Sequence, residues 1–151
     1  VDPHYDDVVA EVTAFLEARA TRANDRGVAE VWVDPGIGFG KTAAHNLSIL
    51  RHLDQIVARG WPVVVGTSRK ATLGRVLAAS DRRGRVELAP GDEVLDPLGA
   101  AVAAPDLTAM AVDDRLEASV ATATWALHRG AAMVRVHDVL ATVQAAQVVA
   151  G

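Results

Sequence analysis

Val31-Trp-Val-Asp-Pro-Gly-Ile-Gly-Phe-Gly-Lys41 begins as a short apolar β run and breaks at Asp34 into proline, glycine and a cation. The same transition recurs in Val63-Val-Val-Gly-Thr-Ser-Arg-Lys70 and in Ala132-Met-Val-Arg-Val-His-Asp138. Strands are therefore expected at 30–34, 61–66 and 131–136. Helical spacing of apolar residues surrounds them. Val8, Val9, Val12, Phe15 and Leu16 mark a helix over 5–26, closed by Gly27. Further helices are predicted over 46–58, from a Thr67 or Ser68 cap to about 79, from Asp113 or Asp114 to 129, and over 138–149. Strands alternating with helices imply right-handed parallel βαβ units, and the ends of such strands form the rim where α/β proteins place their ligands. Residues 80–112 carry Pro and Gly punctuation without sustained periodicity, so they read as an inserted loop with a helical turn near 96–103.

The 151 residues suffice for one domain, and a chain half apolar but only 4% aromatic must build an aliphatic core. A net charge of −4 argues against a general nucleic-acid binder. No stretch approaches the roughly 18 to 20 apolar residues of a membrane span, and none reads as a signal peptide. The sequence has no cysteine, hence no disulfide framework and no thiolate ligand or nucleophile, as expected of a cytoplasmic protein. It begins with Val1, so the chain is expected to start inside a longer reading frame or after processing.

Three readings compete for the first strand end. A phosphate loop needs G-x4-G-K-[ST]; Gly40-Lys41-Thr42 supplies the end, but the first glycine position holds Pro35, which has no N–H and no positive φ. A dinucleotide fingerprint fails because Gly36-x-Gly38-x-x lands on Lys41. The third reading puts the ligand on Asp34. A carboxylate there is well shaped to accept two parallel N–H bonds from a guanidine-like edge such as a 2-amino-4-oxo-pyrimidine. The bland alternative is an Asp that only caps the turn.

The second strand end places Ser68, Arg69 and Lys70 where a helix begins, a place that favours anions; the alternative is a capped helix with solvated charges. In the third, alternation puts Arg135 and His137 on one side and Val134 and Val136 on the other. An arginine in a buried strand needs an anion or a stacking face. The alternative is an internal ion pair with Asp138 or another acid. His4, His45, His52 and His128 lack ligand spacing, and no metal site built from side chains is read.

Taken in order, Asp-Pro-Gly-x-Gly-Phe-Gly-Lys-Thr, Gly-Thr-Ser-Arg-Lys and Arg-Val-His-Asp-Val resemble the dihydropteroate synthase family, along most of the chain. The resemblance implies an α/β fold, the C-terminal part of a TIM (β/α)8 barrel, with three parallel strands and flanking helices over 1–151. It implies condensation of 6-hydroxymethyl-7,8-dihydropterin diphosphate with 4-aminobenzoate, with release of diphosphate, in folate biosynthesis, by a homodimer that is a sulfonamide target. Asp34, Lys70, Arg135 and Gly66 would bind the pterin. Phe39, Lys41 and Ser68 would face 4-aminobenzoate. Arg135 and His137 would hold the diphosphate, and with Lys70 they form the expected catalytic set. Mg²⁺ would arrive with the diphosphate, its protein ligand lying upstream of this sequence. Where some relatives have Ser after the Ser-Arg-Lys lysine, this chain has Ala71. Three strands cannot close a barrel, so apolar strand edges and self-association are expected of the isolated chain. A non-catalytic pterin-binding paralogue and, from the same barrel superfamily, methyl transfer from a methylated folate are the rival functions, with a phosphate-loop nucleotide-binding protein as the alternative outside the family.

Overall fold

The computed structural model describes residues 3–83, 102 and 106–150. Helix α1 (Val8–Asp25) starts where the Asp7 carboxylate accepts the N–H groups of Val9 and Ala10, both at 3.0 Å. The Glu11 carboxylate reaches back to the N–H groups of Asp6 and Asp7. Val8, Val9 and Val12 form its buried face. Gly27, at φ +87°, ends the helical path, as the sequence indicates.

The expected helix over 46–58 is two helices, α2 (Ala43–Arg51) and α3 (Leu53–Val57). Thr42 and His45 cap α2 reciprocally, which starts it three residues early. His52 interrupts the pair at φ −103° and ψ 27°, with its Nδ1 3.0 Å from the Ser48 carbonyl. Helix α4 (Ala71–Arg83) starts later than a Thr67 or Ser68 cap would place it, and both hydroxyls are engaged with other segments. Residues 80–83 complete α4 instead of opening the inserted loop. The rest of that loop as far as 105, with the turn expected at 96–103, lies outside the described residues apart from Val102. A 3-10 turn (Val112–Asp114) leads into α5 (Leu116–His128), and α6 (Val139–Ala150) follows the last strand.

Among the described residues the parallel sheet has two strands, β1 (Val64–Val65) and β2 (Met133–Val134), in place of the three expected. The first expected strand joins through one parallel bridge, Val33 to Val63. There Val33 donates to the Pro62 carbonyl at 2.9 Å, and Val64 donates to the Val33 carbonyl at 2.8 Å. Proline explains why the ladder stops. In this register the next bond toward the N-terminus needs an N–H on Pro62, and the next toward the C-terminus needs one on Pro35. The chain still runs parallel to β1, but it cannot lengthen the ladder in either direction.

Ile37, Ile49, Leu53, Val63 and Val65 are at most 1% exposed and form the centre of an aliphatic core under the strand ends. Val102 and Leu107 pack on Ala79 in a smaller cluster. Apolar surface is left at β2 and along α6: Met133 is 48% exposed and Leu140 73%. Ile49→Ala should therefore cost about 2–5 kcal/mol by urea unfolding, through lost burial and a cavity. Val148→Ala, on exposed α6 surface, should stay within about 0.5 kcal/mol. Equal costs at the two sites would contradict this placement of the core.

Candidate functional site

The pairing register sets Val33 beside Val63 and Val65 beside Val134, so Asp34, Gly66 and Arg135 leave the sheet side by side at one end. Asp34 closes the turn, as its bland reading expects, and also meets a cation. Its Oδ1 accepts the Gly36 N–H at 2.8 Å, closing the turn, and its Oδ2 faces Arg135 Nη2 at 3.5 Å. The Arg135 guanidinium lies across Gly66. A Cβ on Gly66 would stand 3.0 Å from Nη2 and 3.2 Å from Nε, so the glycine is what admits the cation.

Arg135 is not buried as expected: its side chain is 67% exposed. It stands at the edge of the sheet, with no strand beyond β2 among the described residues. Its ion pair is with Asp34, not with Asp138. His137 is exposed as well, and Ser68 ties it down: the Ser68 Oγ accepts the His137 N–H at 3.1 Å and stands 3.0 Å from Nδ1.

The chain's only two lysines, Lys41 and Lys70, both sit here, and both ammonium groups rest on backbone carbonyls. Lys70 donates to the Ile37 carbonyl and lies 4.5 Å from the Phe39 ring centroid. Lys41 donates to the Gly36 and Phe39 carbonyls, each at 3.3 Å. Burial holds the Lys70 ammonium below the ordinary lysine range; Asp34 opposes that shift, while Arg135 and Lys41 add to it. Burial likewise lowers Lys41 against the pull of Asp34.

A cleft of about 490 Å³ collects Phe39, Gly66, Ser68, Lys70, Arg135 and His137. Asp34 and Lys41 are not on its wall. They line a neighbouring cleft of about 400 Å³ with Tyr5, Pro35 and Gly36. The Asp34–Arg135 contact bridges the two, so the eight residues singled out in the sequence form one continuous rim.

Hydrogen bonding within the glycine loop argues against a phosphate cradle. The N–H groups of Gly36, Gly38 and Phe39 go to Asp34 Oδ1, Asn46 Oδ1 and the Gly36 carbonyl, at 2.8, 2.8 and 3.1 Å. A phosphate loop needs such donors aimed at its ligand.

Sequence reasoning missed the groups that lock the Ser68–Lys70 turn. Arg69 has φ +56°, unusual for a residue with a Cβ. Its N–H donates to Ser119 Oγ at 3.0 Å, and its carbonyl accepts from Arg115 Nη1 at 2.8 Å. Its guanidinium grips Asp138 through Nε at 3.0 Å and Nη2 at 2.6 Å. Arg69 lines the cleft but is thus committed to structure, whereas Lys70 and Arg135, also on its wall, have no tight carboxylate pair. Asn46 was missed too. Its signal was a polar residue on the same helical stripe as Ile49, Leu50 and Leu53.

Compared with known proteins, residues 1–137 match the family described as pterin binding enzyme. A dihydropteroate synthase of Mycobacterium leprae is 43% identical over 149 residues, covering 97% of this chain and 44% of the relative. The crystal structure of the Thermus thermophilus dihydropteroate synthase in complex with 4-aminobenzoate is 43% identical, with a TM-score of 0.70, over 97% of this chain and 46% of that one. The same synthase in complex with 6HMPPP is 42% identical, with a TM-score of 0.71, over 98% of this chain and 48% of that one. This chain thus spans less than half the length of each.

The Asp138 carboxyl is held below its ordinary value chiefly by the hydrogen bonds from Arg69. With the folded pKa depressed, the folded protein binds fewer protons than the unfolded one in that window. The pair's contribution is then complete above the ordinary carboxylate value of about 4 and is lost as pH falls through the lower folded value. Urea midpoints measured from pH ~5 to ~2 should fall more steeply for the wild type than for Asp138→Asn. Parallel slopes would contradict the clamp.

Proposed function

The chain belongs to the pterin-binding enzyme family, and from that membership we propose that it forms the C-terminal part of a dihydropteroate synthase. The reaction joins 6-hydroxymethyl-7,8-dihydropterin diphosphate to 4-aminobenzoate in folate biosynthesis. The observation that carries this reading is the convergence of Asp34, Gly66 and Arg135 at one strand-end rim, with Lys70 and His137 on the adjoining cleft. Solved relatives holding 4-aminobenzoate and 6HMPPP support it.

Each residue's chemistry suits its role. Asp34 would share Oδ2, which faces Arg135 at 3.5 Å, with the guanidine-like edge of the pterin, while Oδ1 holds the turn. Arg135, close against Gly66, would offer a stacking face to the ring and N–H donors to the diphosphate. His137 joins it on the diphosphate, and Lys70 reaches the ring. Phe39 and Lys41, on the glycine loop, lie toward the aminobenzoate, with Ser68 facing its carboxylate. In the chemical step the methylene C–O bond breaks, and the electron pair leaves with diphosphate. The aminobenzoate nitrogen donates its lone pair to the cation-like carbon and then loses a proton. The protein's main contribution is electrostatic stabilisation of the departing anion, and no side-chain nucleophile takes part.

Mg²⁺ does not fit a site made by this chain's own residues. Among the described residues no three His, Asp or Glu side chains converge, and the wall of the cleft carries Arg69, Lys70 and Arg135 but no carboxylate. The ion would be held by the diphosphate and by a residue contributed from elsewhere in the complete barrel. The remaining strands of a TIM barrel would cover the exposed edge at Met133, and we read the complete enzyme as a cytoplasmic homodimer. Among the described residues no helix is long and apolar enough to cross a membrane.

In the protein as the cell makes it, Arg135→Ala should lower turnover at least about 100-fold, the scale of losing one oriented donor to a developing anion. Its melting temperature should barely move, given the exposure of that side chain. Gly66→Ala should show part of the same loss by displacing the guanidinium. Turnover near the wild-type rate in Arg135→Ala would contradict the assignment.

A further inference from the structure

One peptide unit in the glycine loop, Ile37–Gly38, is held from both sides. Its carbonyl accepts from the Lys70 ammonium, and its N–H donates to Asn46 Oδ1 at 2.8 Å. The Lys70 stem crosses Gly38 so closely that a Cβ there would stand 2.9 Å from Cδ. Asn46 is fully buried, and its amide nitrogen donates to the Thr42 carbonyl at 2.8 Å and to the Thr72 hydroxyl at 3.2 Å. Thr72 lies in the first turn of α4, two residues after Lys70. The contacts therefore close a ring from Lys70 through the peptide and Asn46 to Thr72 and back to Lys70.

This ring has a single satisfactory orientation. Turning the Asn46 amide over would face its NH₂ to the Gly38 N–H and its oxygen to the Thr42 carbonyl, leaving buried polar groups without partners. The peptide is planar, so fixing its N–H toward Asn46 fixes its carbonyl on the opposite side, toward the cleft. Lys41 uses the Gly36 and Phe39 carbonyls and does not touch this peptide unit's carbonyl.

We propose that Asn46 is a positioning residue for Lys70: by holding the Gly38 N–H, it presents the Ile37 carbonyl that fixes the Lys70 ammonium on the cleft wall. A ligand that draws the ammonium away leaves that carbonyl without its cation and loosens the loop carrying Phe39 and Lys41. This consequence rests on Lys70 meeting the pterin, as proposed above; the positioning itself does not, and its test needs no substrate.

The test is pulse acylation of the protein as the cell makes it with acetic anhydride at one pH, with the rate at each lysine read by peptide mass spectrometry. Asn46→Ala should raise the Lys70 rate about tenfold, roughly the factor that one hydrogen bond to a charged group supplies. The Lys41 rate should change far less. Thr72→Val, which removes only the hydroxyl supporting Asn46, should raise the Lys70 rate by a smaller factor; it decides the matter if Asn46→Ala does not fold. An unchanged Lys70 rate in the folded variant overturns the proposal. So does an equal rise at Lys41 and Lys70, which would mean general loosening of the loop.

Discussion

The site depends on the parallel register that sets Val33 against Val63 and Val65 against Val134. Side chains alternate along a strand, so a slip of one residue would turn Asp34 or Arg135 to the opposite face and part the carboxylate from the cation. Few backbone bonds hold this register, because Pro35 and Pro62 withhold the donors that would extend the first ladder. Packing does the rest: Val33, Val63 and Val65 are buried among Ile37, Ile49 and Leu53, and moving any one would expose an aliphatic side chain.

The cations at the rim and just beneath it divide into two kinds. Arg69 and Arg115 are committed to structure, the first gripping Asp138 and the second holding backbone carbonyls. Lys41 and Lys70 rest on carbonyls, and Arg135 faces Asp34 across 3.5 Å. An arriving anion can recruit the second kind without breaking a tight carboxylate pair. A chain with a net charge of −4 thus keeps a locally cationic cleft. Partial burial of the two ammonium groups raises what they gain from an anion.

The residues that gather at the rim were legible because each strand ends abruptly in polar groups. Asp34, Phe39, Lys41, Gly66, Ser68, Lys70, Arg135 and His137 come together at one rim. Three features were not legible. Ladder length depends on which N–H a neighbouring strand requires, and only the register reveals that Pro62 and Pro35 stand at those positions. Ion-pair partners depend on tertiary placement: Asp138 is three residues from Arg135 in sequence, yet it takes Arg69, which the turn at φ +56° swings toward it. The break at His52 falls within a continuous helical pattern and follows from a local contact with the Ser48 carbonyl.

The proposed function requires that this rim recognise a pterin bearing a diphosphate and not cradle a nucleotide. The most direct measurement is a thermal-shift titration of the protein as the cell makes it, with 6-hydroxymethyl-7,8-dihydropterin diphosphate and, separately, with Mg-ATP. A ligand that binds only the folded state raises the melting temperature with its concentration. If the proposed function holds, the melting temperature rises with the pterin diphosphate and not with Mg-ATP. A rise with Mg-ATP alone would contradict it.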